Sequence, residues 1–515
     1  MQNQIELVIQ RGIEAAERDY DPDRHLVSQP SAKEPGQRTY RQAASLPYAR
    51  ALLQRGDAES VARAAEIVAA VLESQELSPG HPYVGNWLWL ADDPEIADLN
   101  AVQFVLRGLL PILVLHERQL PEKLVELCRE RVRLALAEEE RLDVAPTYTN
   151  IHLMSLQALI VGGEWLQDGY FLELGRTRWQ RWVKFTVRSG APHEYNSPVY
   201  SGVDLATLSN IQLLTRDPAI KLQARLMYER FCLHFALHMH RPTRQNAGPH
   251  CRSYWPNMVT GHGALHHALW LMTGWSWLLE AGPYGGESAN VAELELALTA
   301  QEMPDYIVSW LEHQSAMMPY EVRETANVDQ GFDLTTYFTP EYALGSASKT
   351  YGIGTDCFYI EHQSNYLMLH YARPNQPGGW GMMYTRYVVN EQHWGTLGAA
   401  PDRPKTANFY DQGHFAGVQL HNKAIGLYAL KPQHEEVHSL KTVVAFQSGN
   451  ALERVWINEA ARLRAAAGPV GDRIAGRRRR SRRGPGPRRQ LLVREPRRSR
   501  WSRRLQPAVR PGRRR

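Results

Sequence analysis

The apolar positions of this chain change their period near residue 333. Before that point they recur every three or four residues in long segments, which is the helical period. Helices are predicted over residues 41–54, 59–75, 98–117, 121–140, 152–162, 166–189, 203–214, 219–238, 262–280 and 291–314. Gly56-Asp57 separates the first pair, Asp98 stands where an N-cap belongs, and Pro121 occupies a first turn. The connections are short, so consecutive helices are expected to pack as antiparallel hairpins. A series of such hairpins closes as a toroid or stacks as a solenoid, and periodicity alone does not separate the two. After residue 333 come short runs rich in β-branched and aromatic residues, punctuated by Gly, Pro and Asn: 334–339, 357–360, 366–371, 382–389, 424–430 and 442–446. The expected fold class is multidomain, α then β. A helical-hairpin domain spans 41–320, and an antiparallel β-sandwich over 333–459 is incomplete at its C-terminal side. Residues 1–40, polar and Pro-containing, read as a surface arm.

Composition changes this picture at one end. The 515 residues are 43% hydrophobic and 22% charged, an ordinary globular balance. The net charge of +5 conceals an asymmetry, because residues 473–515 hold 19 arginines against one acid, Glu495. Without that segment the body carries about −13, which does not suit a nucleic-acid binder. The run Arg477-Arg478-Arg479-Arg480-Ser481-Arg482-Arg483 has nothing to build a core from. As a native segment, 460–515 is a disordered basic tail for nucleic acid or another acidic surface. It is also what a GC-rich gene yields in a shifted reading frame. The switch follows Val455-Trp456-Ile457-Asn458, inside a β region still short of strands, and would leave an open sheet edge.

The first residues lack a basic segment followed by an apolar run, and no stretch reaches the roughly 18 apolar residues of a membrane span. The expectation is a cytoplasmic protein without membrane contact. Cys128, Cys232, Cys251 and Cys357 show no paired spacing and read as reduced thiols. A Walker loop, a dinucleotide fingerprint and a Gly-x-Ser-x-Gly elbow are all missing, so no cofactor is expected.

Candidate chemistry gathers in two polar loops at helix ends. In the first, His193, Glu194, Asn196 and Tyr200 crowd the start of the helix predicted from Val203, and helix starts favour anions. The alternative is that Glu194 and Asn196 satisfy turn amides. In the second, Arg241, Arg244, His250, Arg252 and Tyr254 follow a helix ending near His240. Cations beside a tyrosine suit a bound carboxylate or sulfate, unless they pair with the acidic body. Asn150 reads as an N-cap or as an amide for a substrate carboxylate. Trp87 and Trp89 read as sugar platforms or as core aromatics. His234/His238 and His262/His266 have i, i+4 spacing that can hold zinc, but neither an HExxH motif nor a cysteine set accompanies them. No metal is expected.

Helical hairpins followed by an antiparallel sandwich, with His193-Glu194-Tyr195-Asn196-Ser197-Pro198 and Ala247-Gly248-Pro249-His250 in the loops, resemble the (α/α)-toroid polysaccharide lyases, the broad heparinase, chondroitin-lyase and alginate-lyase group. The resemblance is architectural over about residues 40–460 and local at the motifs. It implies β-elimination next to a uronate in an acidic oligosaccharide or polysaccharide. Asn150 or Asn196, with Arg244 or Arg252, would neutralise the carboxylate. Tyr200 and Tyr254 would transfer protons, and His193 or His250 would act as base or carboxylate partner. Two other readings remain open. A glycoside hydrolase on the same toroid would use Glu194 with Asp204, Glu321 or Asp356. A non-catalytic glycan-binding protein would keep the aromatics and arginines alone.

Overall fold

The computed structural model describes residues 2–31, 36–253, 264–275, 291–351, 363–373, 379–391, 411–431, 436–446, 456–457 and 460–461. It opens with a helix rather than a surface arm: α1, Gln2–Asp19, buries Val8, Ile13, Ala15 and Ala16. A small sheet follows, of β1 (Tyr20–Asp21), β2 (Leu26–Pro30) and β3 (Arg38–Tyr40). The first predicted hairpin is present as α2 (Gln42–Arg55) and α3 (Ala58–Glu73). Gly56, at φ 75°, ends α2 by donating its N–H to the Leu52 carbonyl. Asp57 then caps α3 by accepting the Ser60 N–H.

Next come α4 (Ala101–His116), α5 (Glu122–Leu142) and α6 (Thr149–Gln157). Asp98 does not cap α4; its carboxylate takes the Asn100 N–H at 3.1 Å in the turn before it. From α6 the chain runs through a π turn, Ala158–Gly162, into α7 (Gly163–Leu166). Beyond it lie α8 (Gly169–Thr186), α9 (Tyr200–Leu214), α10 (Pro218–His238) and α11 (Ala264–Thr273). The helix predicted over 291–314 is two, α12 (Val291–Thr299) and α13 (Asp305–Met317), because Pro304 can start a helix but not continue one. One apolar core joins α2 to α5 through Leu46, Leu52, Ile67, Val71, Leu106 and Leu136. A second joins α8 to α13 through Trp179, Trp182, Leu208, Phe231 and Ile307.

The sheet is six-stranded and antiparallel, in the order β13–β10–β9–β8–β7–β6. Its strands are β6 (Tyr320–Asn327), β7 (Phe332–Phe338), β8 (Tyr342–Ala347), β9 (Leu367–Ala372), β10 (Trp380–Val389) and β13 (Leu440–Phe446). β7 shows the period-two burial of a half-covered strand, with Phe332, Leu334, Thr336 and Phe338 inward. β11 (Gly413–Leu420) and β12 (Lys423–Leu430) form a hairpin. The predicted strand at 357–360 lies outside the described residues.

The stretch Met1–Gly449 is one compact unit, so the helices and the sheet pack on each other. They approach closely at two glycines: a Cβ on Gly345 of β8 would lie 2.3 Å from the Gly248 Cα. The second unit, Asn450–Arg515, contains one described pairing, β14 (Trp456–Ile457) with β15 (Ala460–Ala461). Among the described residues, no helix is long and apolar enough to cross a membrane.

Candidate functional site

Both polar loops are stitched to each other and to the sheet. From α10 the chain enters a two-residue hairpin, β4 (Met239–His240) with β5 (Gln245–Asn246). Its turn carries Arg244 at φ 59° and packs on α13, where Arg241 donates its backbone N–H to the Gln314 side chain at 3.1 Å. Ala247, Gly248 and Pro249 then cross β8. Gly248 sits at φ 102°, where a Cβ would come 2.4 Å from the Thr336 hydroxyl, so only glycine fits. His250 exchanges both backbone hydrogen bonds with Asn365, at 3.1 and 2.7 Å. Asn196, itself left-handed at φ 44°, donates its side-chain amide to the Ala247 and Pro249 carbonyls at 3.5 and 3.2 Å. Cys251 donates to the Tyr195 carbonyl at 3.0 Å, and the Ser197 hydroxyl to the Arg252 carbonyl at 3.3 Å.

This stitching aims Arg252 into the helical half. Arg252 has φ 49° and is 3% exposed. One terminal nitrogen donates to the Tyr200 hydroxyl at 2.7 Å, and the other lies 3.4 Å from Glu194 Oε1. The guanidinium covers the Tyr200 ring at 4.3 Å and the Tyr148 ring at 5.3 Å. Glu194 is fully buried, and its second oxygen accepts both the backbone N–H and the side-chain amide of Asn150, at 2.7 and 2.6 Å. Burial pushes the Glu194 carboxyl above its usual range, against the pull of Arg252.

Asp204, one turn into α9, is buried, and among the described residues neither of its carboxyl oxygens has a hydrogen-bond partner. Burial and then the neighbouring Glu194 push it well up, while Arg107 pulls it down. Arg107 of α4 pairs with Glu295 of α12. Arg41 lies over the rings of Trp89 and Phe104, at 4.0 and 4.8 Å. Burial and the charge of Arg107 lower Arg41 to about 10, while Tyr200 and Glu295 hold it up. Three guanidinium groups therefore act on this cluster: Arg252 on Tyr200 and Glu194, Arg41 on Tyr200, and Arg107 on Asp204.

Some expected residues have other tasks. Asn150 is not the cap of α6, a position held by Tyr148; it lies inside the first turn and grips Glu194. Asn196 ties the loops. Trp87 is no sugar platform: it is fully buried and donates its indole N–H to the Val71 carbonyl at 2.9 Å. Trp89 is half-buried under Arg41. His193 stacks on Phe185 at 4.1 Å, with Nδ1 2.9 Å from the Tyr351 hydroxyl. His250 lies with Nε2 2.8 Å from the Asn246 carbonyl and its ring 5.6 Å from that of His370. Glu321 is engaged on the sheet by Arg323 and His421. Tyr254, His262 and Asp356 lie outside the described residues. Sequence reading missed Arg41, Arg107, Tyr148, Glu295 and Tyr351. Arg107 left one usable signal, a single cation within the apolar run of α4.

Buried histidines give the fold a measurable acid response. Burial lowers His152, His193, His240 and His250 from 6.5 to about 4 each. An unfolded histidine takes its proton near 6.5. Each therefore contributes stability that is complete above that value and lost as pH falls toward 4. Glu139, Glu194 and Asp204 shift upward through burial and act with the opposite sign. Comparing wild type with His152→Asn removes these common contributions. The stability difference is expected to move against wild type by on the order of 3 kcal/mol between about pH 6.5 and 4. Urea unfolding across that range measures it, and a constant difference would contradict the burial of a neutral His152.

Residues 6–282, which include most of α1, all of α2 to α11 and both loops, match a described protein family. It is a domain of unknown function, DUF8769, and the chain belongs to that family. No curated protein matches the chain.

Proposed function

We propose that the protein is a carbohydrate-active enzyme, a lyase that cleaves uronate-containing oligosaccharides or polysaccharides by β-elimination. The observation that carries this reading is the 2.7 Å hydrogen bond from Arg252 to the Tyr200 hydroxyl, in a cluster that also holds Arg41 and Arg107. A uronate carboxylate entering there meets guanidinium groups that stabilise the charge developing on it. The Tyr200 oxygen, as phenolate, takes the proton from the carbon next to the carboxylate. The electron pair of that bond forms the new carbon–carbon double bond as the bond to the leaving oxygen breaks, and that oxygen takes the proton back from Tyr200, restoring the phenolate. Arg252 favours the phenolate by donating to it. Glu194, held by Asn150, fixes Arg252 in place. His193, neutral at ordinary pH, is the second proton-transfer candidate.

The proposed architecture is an (α/α) toroid with this cluster in its cleft. It is supported by residues from the N-cap of α2 and from α4, α6, α9 and α12 meeting at one place. The sheet is proposed as one layer of a β-sandwich that is incomplete toward its C-terminal side. In support, Val418, Leu420, Ile425 and Leu427 of the β11–β12 hairpin are 60–66% exposed, an apolar face of the kind a second layer covers. The proposed place of action is the cytoplasm, on imported acidic oligosaccharides.

The pair Glu194 and Asp204, each pushed up by burial and with the Glu194 charge raising Asp204 further, favours one second reading, a glycoside hydrolase. A panel of uronate-containing oligosaccharides separates the two. Ultraviolet absorbance from an unsaturated uronate supports elimination. New reducing ends without that absorbance support hydrolysis. Neither signal, from folded protein, removes both.

A further inference from the structure

His234 and His238 lie one turn apart on α10, and the sheet brings Glu324 of β6 to both. His234 Nδ1 is 2.9 Å from Glu324 Oε2, and His238 Nε2 is 2.6 Å from the same oxygen. Both histidines are buried, and the Glu324 side chain is 10% exposed. Among the described residues this is the one group of three or more histidine, cysteine or carboxylate ligands close enough to hold a metal ion.

The hydrogen-bonding of His238 decides what the group is for. Its Nδ1 lies 3.2 Å from the Ala247 carbonyl, an acceptor that can only receive a hydrogen. Nδ1 therefore carries the proton, and in the neutral ring Nε2 is a bare lone pair facing a carboxylate oxygen. Two acceptors at 2.6 Å repel unless the ring takes a second proton or a cation lies between them. An imidazolium paired with the Glu324 carboxylate would meet the first condition. A backbone carbonyl holding the far nitrogen of an imidazole is, by contrast, the usual support of a metal-bound histidine.

We propose that His234, His238 and Glu324 form a zinc site that clamps the second loop between α10 and the sheet. Two imidazoles and one carboxylate suit zinc better than calcium or magnesium, which prefer all-oxygen sets. Ligand atoms about a tetrahedral zinc stand roughly 3.3 Å apart, so the 2.9 and 2.6 Å contacts to Glu324 must open by about 0.4 and 0.7 Å. A fourth position is left for water or another donor. Arg230, whose charge reaches His234 and Glu324, is tied to the Ser189 and Thr186 carbonyls. The clamp holds the loop through Ala247, whose carbonyl accepts from His238 and Asn196 and whose N–H donates to the His238 carbonyl at 2.7 Å. Arg252 lies five residues further on.

The test needs no substrate. Full-length protein, stripped with a chelator and dialysed, is titrated with zinc alone against a chromophoric competitor. One equivalent bound with sub-micromolar affinity and a higher melting temperature is expected. Glu324→Gln and His234→Gln should each weaken binding at least tenfold, and cobalt in place of zinc should show tetrahedral absorption bands that His234→Gln removes. Folded wild-type protein that binds no stoichiometric zinc overturns the proposal and leaves a hydrogen-bonded clamp. Equal binding by the variants overturns it too, since the ion would then sit elsewhere.

Discussion

Tyr200→Phe is expected to lower kcat by about 10²–10⁴-fold on any oligosaccharide the protein cleaves, with KM changed by only a few-fold. The substitution removes one oxygen. The ring stays, and with it the Arg252 stacking at 4.3 Å, so substrate contacts made by the aromatic face persist. What is lost is the group proposed to carry the proton, and such a loss falls on the transition state rather than on ground-state binding. Arg252 also loses an acceptor at 2.7 Å, which costs about 1–3 kcal/mol of stability and leaves the protein folded. Steady-state kinetics beside a melting curve measures both effects. A kcat near that of wild type would remove Tyr200 from proton transfer.

The largest structural effect belongs to Arg252→Ala. Glu194 is fully buried, and Arg252 is the cation that offsets its charge. Removing one partner of a buried pair leaves a charge without compensation, at about 3–5 kcal/mol. Glu194 would then shift further up and hold its proton at neutral pH. The left-handed backbone at φ 49° adds to the cost, since alanine avoids it. Urea unfolding gives the total, and a loss under about 1 kcal/mol would contradict the burial of this pair. The double variant Glu194→Gln with Arg252→Ala should recover part of the loss, because it removes the stranded charge. Arg252→Lys should keep stability better than activity, since an ammonium supplies charge but not the two-nitrogen fork that meets Tyr200 and Glu194.

The helices were legible because their apolar residues repeat at the helical period over ten or more positions. α1 escaped because a mostly polar segment needs only Val8, Ile13, Ala15 and Ala16 to seat it. β6 escaped because its charges hide the strand period, and β8 because Ala343, Gly345 and Ser346 carry little β signal. Small residues are required there, since β8 passes under Gly248.

At the site, Glu194, Tyr200 and Arg252 stood out as chemical groups crowded into loops. What sequence could not give was their partners. Arg41 precedes α2, Arg107 lies in α4 and Glu295 in α12, and Asn150 meets Glu194 across 44 positions. The same holds for His234 and His238, whose spacing supplies two ligands while the third lies 90 residues from His234 on a strand that the pattern did not predict. Long-range contacts of this kind are set by packing, which leaves no local period in the sequence.

The most direct test of the elimination chemistry is the mass of the products formed in water enriched in heavy oxygen. Elimination uses no water. Its two products should together have the mass of the substrate, with no heavy oxygen in either and an unsaturated uronate at one new end. One heavy oxygen incorporated per bond cleaved would contradict the account, and would move the chemistry from Tyr200 and Arg252 to the carboxyl pair of Glu194 and Asp204.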